Sequence, residues 1–226
     1  MDIAVLGTGV VGQTIAARLA ELGHDVVIGT RDVATLLART ETDRMGNPPF
    51  AAWSEAHPQV RVATFAEAAA HGELVVNATS GEASLAALGA AGADNLAGKV
   101  ILDIANPLDF SQGFPPTLLV KDTDSLAEQI QRDFPQSRVV KSLNTMNANL
   151  MVYPTSVAEG DHTVFVSGDD EAAKAQVVEL LRSFGWRDII DLGGLVSARG
   201  AEMVLPLWLH LMGRLGTFRF NFKVVR

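Results

Sequence analysis

The sequence predicts an α/β fold: a doubly wound parallel sheet with helices on both faces and a smaller α/β unit at its C-terminal end. Three observations carry that expectation. Short apolar runs alternate with amphipathic runs through the first 143 residues, the pattern of parallel strands joined by crossover helices. The first such unit places Gly7-Thr8-Gly9-Val10-Val11-Gly12 directly between its apolar run and its amphipathic run. After residue 143 the style changes to a polar turn, shorter elements and one run that is apolar nearly all the way round.

Residues 3–6 read as a buried strand, and residues 10–22 set Val11, Ile15, Leu19 and Leu22 on one helical face. A second strand covers 26–28, and Asp32 can cap a short helix over 33–39. The stretch TETDRMGNPP (40–49) breaks the pattern before another short helix at 50–58. A third strand (60–62), a helix (65–71) and a fourth strand with a polar end, LVVNATS (74–80), follow. An Ala-rich helix leads to a fifth strand, KVILDIANP (99–107), which runs into a proline turn; a helix (123–134) and a sixth strand (138–141) close this half. In the second half LNTMNANLMVYP is a polar turn with a short helix, 162–168 a strand, 171–184 a helix and 186–192 a strand. Residues 197–215 predict a helix buried on more than one side, kinked or interrupted at Pro206, and FRFNFKVV (218–225) predicts a closing strand. No internal repeat or long linker intervenes, so the C-terminal part is expected to pack against the first.

Composition narrows the chemistry. At 48% apolar, a chain of 226 residues can bury a full core. No cysteine is present, which excludes disulfides, thiolate metal sites and a cysteine nucleophile. The five histidines are isolated without ligand spacing, so no metal site is expected. A net charge of -8 with no basic run argues against nucleic acid. No apolar run is long enough to span a bilayer, and the first strand begins at Asp2 without a basic leader; a cytoplasmic protein is the expectation.

The glycine motif gains meaning from its place between strand and helix. Gly7 allows the tight turn, Gly9 lets a diphosphate approach the backbone, and Gly12 lets helix and strand pack closely. Thr8, Val10 and Val11 complete the loop, whose helix N-terminus offers free N–H groups to phosphate. The second strand decides the nucleotide. NAD sites place an acidic residue at its tip; here the tip reads Gly29-Thr30-Arg31, and Asp32 is better used as a cap. Thr30 and Arg31 suit a 2′-phosphate, so NADP is expected over NAD, the alternative being that Arg31 is an ordinary solvated residue. Asn77, Ala78, Thr79, Ser80 and Asn106 stand at the carboxyl ends of the fourth and fifth strands, where ligands of doubly wound sheets bind, and they join the candidate cofactor residues. No convincing acid–base pair emerges. Tyr153 precedes a proline in a loop, Lys141 lies on a strand, His162 starts one, and His210 reads as a satisfied core histidine. That pattern fits hydride transfer between two rings, which needs placement more than proton chemistry, and no residue is assigned a catalytic role.

The segments VLGTGVVGQTIAARLAELGHDVVIGTRD, VVKSLNTMNANLM, LVSARGAEMVLPLWLHLMGRLG and FNFKVV resemble the NADPH-dependent coenzyme F420 reductase family, in the same order and over nearly the whole chain. The resemblance implies a Rossmann-type NADP-binding domain (1–143), a small C-terminal domain (144–226), and a deazaflavin in the cleft between them. It implies NADP contacts at Thr8–Val11, Thr30 and Arg31, and nicotinamide contacts at the end of NATS and at Ala148. It places the second ring against Asn144, Thr145, Met146, Asn147 and Phe220. Archaeal members have a His and a Pro where this chain reads Asn144-Thr145-Met146-Asn147; a similar Asn-Thr pair occurs in the flavin-using domains of membrane ferric reductases. Coenzyme F420 or a flavin is therefore the expected second substrate. Met146 can offer an apolar contact and the Asn side chains donors to ring carbonyls, while Asn144 reads alternatively as a helix N-cap. A small-substrate NADP-dependent dehydrogenase and an NADP-binding redox sensor without turnover are the alternatives. The apolar excess of Met203–Leu215 predicts a homodimer.

Overall fold

The computed structural model describes residues 1–42 and 46–226; the break predicted over 40–49 lies partly outside them. Ten strands are described: β1 (Asp2–Leu6), β2 (Asp25–Thr30), β3 (Arg61–Thr64), β4 (Leu74–Asn77), β5 (Val100–Asp103), β6 (Leu108–Asp109), β7 (Thr117–Leu118), β8 (Arg138–Ser142), β9 (Thr163–Gly168) and β10 (Asp188–Asp191). Eight form one sheet in the order β10-β9-β8-β5-β4-β1-β2-β3. Six of them, from β8 to β3, run parallel, and β9 joins β8 antiparallel with β10 parallel to β9. The chain order reverses direction between β1 and β4, the switch point at which doubly wound sheets bind their ligands. The boundary expected at 143/144 falls just after β8, and β9 and β10 continue the same sheet.

The helices are α1 (Val10–Glu21), α2 (Val33–Leu37), α3 (Phe50–Ala56), α4 (Phe65–His71), α5 (Ser84–Ala91), α6 (Ala93–Leu96), α7 (Leu126–Asp133), α8 (Ala148–Val152), α9 (Glu171–Phe184), α10 (Ala198–Met203) and α11 (Leu205–Leu215). Asp32 caps α2 through Thr35 N–H, and Thr64 and Glu67 form a reciprocal capping box on α4. The helix expected from residue 123 begins at Leu126, after Ser125, whose hydroxyl accepts from Glu128 N–H. One core face gathers Ile15 and Leu19 of α1 with Val177 and Leu181 of α9; the other gathers Ala68 of α4, Leu88 of α5 and Ile130 of α7.

In the C-terminal third one expectation is met and two change. The helix predicted over 197–215 divides at Val204, the interruption expected at Pro206, which cannot donate to Glu202. Residues 218–225 form no strand. The segment meets the start of β9, short of the β8 register at Val166–Gly168, through one backbone bond, Thr163 N–H to Phe222 C=O at 2.9 Å. His210 is exposed rather than a core histidine; His162 fills that role, bonded to Pro154 C=O at 2.8 Å and to Asn221 at 2.9 Å, edge-on to Trp186.

A charged network ties the layers together. Lys141, fully enclosed on β8, donates to Asp103 Oδ2 at 2.8 Å and to Ala105 C=O, and its Nζ lies 2.9 Å from Glu202 of α10. Glu202 accepts from Leu126 N–H and Ala127 N–H at the start of α7. Burial presses Lys141 toward its neutral form, but Asp103 and Glu202 outweigh it and hold the ammonium above its ordinary pKa. Removing the cation leaves two enclosed carboxylates opposed. Lys141→Met is therefore expected to cost about 3–5 kcal/mol, read from urea denaturation midpoints; a loss below about 1 kcal/mol, the range of exposed pairs, would show that the carboxylates find another partner.

Candidate active site

The carboxyl ends of β1, β2 and β4 open into a cavity of about 630 Å³. Its wall is the glycine loop (Gly7, Thr8, Gly9), its rim the β2 tip (Thr30, Arg31), and its floor Ala78–Ser80 with Phe65 and the Ala83, Ala86, Ala87, Ala90 face at α5. A second cavity of about 670 Å³ adjoins it across Thr8, Gly9, Leu36 and Arg39, and reaches Val10 and Gln13.

The glycines divide the labour as the sequence expects. Gly7 takes φ +116°, and a Cβ there would lie 2.5 Å from Ala78 C=O. A Cβ on Gly12 would stand 1.9 Å from Gly7 C=O, so this residue brings α1 onto the turn. Gly9 differs: no protein atom lies within 4 Å of its would-be Cβ, and no side chain caps α1. Open space and uncapped helical N–H groups fit a diphosphate. At the rim, Thr30 is buried and Arg31 exposed; no acidic residue precedes them on β2 after Asp25, at its opposite end. Asp32 is engaged by Thr35 N–H at 2.8 Å.

Behind the floor, Asn77 is enclosed. It donates to Asp103 Oδ1 at 2.8 Å and Ser84 Oγ at 3.1 Å, and accepts from Thr79 Oγ1 at 2.7 Å. Asn77 thus shapes the loop Ala78–Ser80 instead of facing the cavity, and connects it through Asp103 to Lys141. Asn106, half-buried, donates to Asn144 C=O at 2.8 Å and accepts from Asn144 Nδ2 at 2.9 Å. Asn144 also donates to Ala201 C=O at 2.9 Å, so both amide protons are spent within the fold. The N-cap is Asn147, which accepts from Leu150 N–H at 3.1 Å, and not Asn144. Leu143, buried with φ 61°, turns the chain out of β8, a conformation that costs about 1–3 kcal/mol and is held by its surroundings.

Thr145 and Met146 are buried, 2% and 6% exposed, with Met146 in the main core. They do not line either cavity, and an apolar face of Met146 open to a flat ring is absent in this conformation. Asn147 and Ala148 are half-buried, and α8 packs against α1. Asn147 Nδ2 donates to Phe218 C=O, fixing the C-terminal segment, where Phe220 stacks on Trp208 with centroids 5.2 Å apart. Sequence reasoning missed Arg39 and the alanine face of the cavity. The alanine signal was present, since 83, 86, 87 and 90 recur at helical spacing. Among the described residues, one trio of potential metal ligands, Asp2, Asp25 and His71, gathers at the opposite end of the strands, where Arg61 lies 3.6 Å from Asp25.

A family model described as NADP oxidoreductase coenzyme F420-dependent matches residues 2–107. The F420-dependent NADP reductase of Methanothermobacter marburgensis is 30% identical over 222 residues, covering 93% of this chain and 92% of its own. The metalloreductase STEAP3 of Rattus norvegicus is 30% identical over 213 residues; the match covers 91% of this chain but only 37% of that protein. Among solved structures, a candidate F420-dependent NADP reductase from Arthrobacter sp. FB24 shares 62% identity with a TM-score of 0.97, over 100% of both chains.

The two kinds of glycine can be separated by experiment. Gly9→Ala meets no protein atom, so its melting temperature without nucleotide should equal the parent's. Its affinity for NADPH should fall at least about fivefold, the low end of an overpacking cost. Gly12→Ala should lower both. Unchanged NADPH affinity in Gly9→Ala, by fluorescence titration, would place the diphosphate elsewhere.

Proposed function

The chain belongs to the F420-dependent NADP reductase family, and on that premise we propose that it transfers hydride between NADPH and a deazaflavin, coenzyme F420. The observation that carries this reading is the coincidence of an open, uncapped glycine loop with a Thr30-Arg31 rim whose neighbouring carboxylate, Asp32, is occupied by Thr35 N–H. NADPH supplies a hydride to the deazaflavin ring, and water supplies the accompanying proton. The chain's own residues bind and orient. Gly7–Gly12 would receive the diphosphate, Thr30 and Arg31 the 2′-phosphate, and the alanine face with Phe65 the adenine. Ala78, Thr79, Ser80, Asn106 and Ala148 border the nicotinamide end. Asn147, Ala148 and Phe220 border the second ring, with Asn144, Thr145 and Met146 supporting them from within. Each flat surface is thereby presented at fixed distance, which suits a reaction governed by placement. The reading puts the enzyme in the cytoplasm.

NADPH should bleach the visible absorption of oxidised F420 when the protein is added, and NADH should do so far more slowly. Bleaching of FMN or FAD in its place would make a flavin the acceptor. Activity with none of the three would return the chain to the sensor or small-substrate readings.

We also propose a homodimer. Within one chain α11 buries Leu205, Trp208 and Leu209 against Leu118 and leaves Leu207 and Leu215 more than half exposed. Phe218, Phe110 and Phe114 add aromatic surface with the same exposure. A self-complementary contact would cover this apolar side. Sedimentation velocity at micromolar protein should give twice the 24.0 kDa chain mass; a monomer would remove the dimer.

A further inference from the structure

We infer that Arg39 is a second reader of the 2′-phosphate, closing on it from α2 opposite Arg31. The inference rests on the NADP reading above and extends it to a residue outside the sequence motif. Arg31 precedes α2 by two residues and Arg39 follows it by two. Both border the cavity that holds the β2 tip, so the short helix brings two guanidiniums to one opening.

The helical turn continues past the end of α2, with Ala38 N–H bonding Ala34 C=O and Arg39 N–H bonding Leu36 C=O. Thr35 and Arg39, four residues apart, therefore share a face, and both line the cavity. Thr30 and Arg31 approach the same opening from the strand. Neither the Arg31 nor the Arg39 guanidinium has an ion pair or hydrogen bond among the described residues. Among the described residues the carboxylates that border the two cavities are Asp32, occupied by Thr35 N–H, and Glu41.

A diphosphate is a rival target, because Arg39 also borders the cavity that contains Gly9 and Val10. The demands of the two anions decide between them. The diphosphate already has the uncapped α1 N–H groups. A 2′-phosphate carries about −1.5 to −2 charges and three acceptor oxygens. One exposed guanidinium with five donors in a fixed plane reaches only part of that set, and a second on the facing side completes it.

The experiment compares the parent with Arg31→Ala, Arg39→Ala and the double variant, by titration with NADPH, NADH, adenosine 2′,5′-bisphosphate and 5′-AMP. Both arginines are exposed, so the variants should melt with the parent. Arg39→Ala should weaken NADPH and the bisphosphate on the order of tenfold, while NADH and 5′-AMP stay within about twofold. The double variant should lose preference for NADPH beyond either single one. Equal weakening of NADPH and NADH would assign Arg39 to the diphosphate and overturn the inference; so would an unchanged affinity for NADPH. A parent that binds NADPH no better than NADH would overturn the NADP reading and the inference with it. A parent that prefers NADPH while only Arg31→Ala erodes the preference would sink the inference alone.

Discussion

An ammonium enclosed in the middle of a sheet constrains everything around it. Lys141 cannot keep its charge without Asp103 and Glu202, and each partner belongs to a different layer. Asp103 ends β5. Glu202 lies on α10 and spends its oxygens on the first N–H groups of α7, where a helix dipole favours a carboxylate. Three apolar residues of equal volume could supply similar stability. They could not demand one relative position of β5, β8, α7 and α10, because dispersion is indifferent to direction whereas hydrogen bonds are not. The network's effect is thus chiefly positional, and it reaches the site through Asp103, Asn77 and Thr79.

The cavity itself is built by subtraction. Its wall and floor use glycine and alanine where other doubly wound positions carry larger side chains. Two of the loop glycines are filled by neighbouring backbone, Gly7 by Ala78 and Gly12 by Gly7, so they build the turn. The third leaves space. A loop held so tightly on two sides and open on one offers backbone donors without any reorganisation, and preorganised donors keep the affinity that flexible ones lose to ordering.

How far the sequence reveals this architecture depends on the range of the interaction. Strand–helix alternation and the capping residue Asp32 are local, and their consequences appear where expected; the Thr64–Glu67 capping box is equally local and open to the same reading. Lys141 was visible as a cation following the apolar pair Val139-Val140 in the strand RVVKS, yet its partners stand 38 and 61 positions away and nothing nearby identifies them. The segment 218–225 has a strand's composition, but a strand needs a ladder of backbone bonds, and this segment makes one with β9, at Thr163, where its other bonds run through side chains. Asn144 and Asn147 both suit a cap. Their backbone decides: Asn147 is extended with ψ 158° just before α8, while Asn144 is enclosed against Asn106 and Ala201.

The same inventory bears on the chemistry. Three side chains that could exchange a proton with a small substrate are committed elsewhere. Lys141 is enclosed between carboxylates, and His162 is bonded on both ring nitrogens. Tyr153 donates to Glu21 at 2.9 Å, and the Arg18 guanidinium, with that hydroxyl, holds the Glu21 carboxyl below its usual range. The charged groups that do border the cavities, Arg31, Asp32, Arg39 and Glu41, stand at the rim by the β2 tip and α2. Charge is therefore concentrated at the end of the site proposed for the 2′-phosphate. The end proposed for the nicotinamide is bordered by Ala78, Thr79, Ser80, Asn106 and Ala148, none of which carries a charge. A dehydrogenase acting on a hydroxyl or imine would require the reverse distribution, because its barrier falls through a positioned acid or base. Transfer between two rings asks only that they be brought face to face, which neutral residues set on a rigid sheet can do.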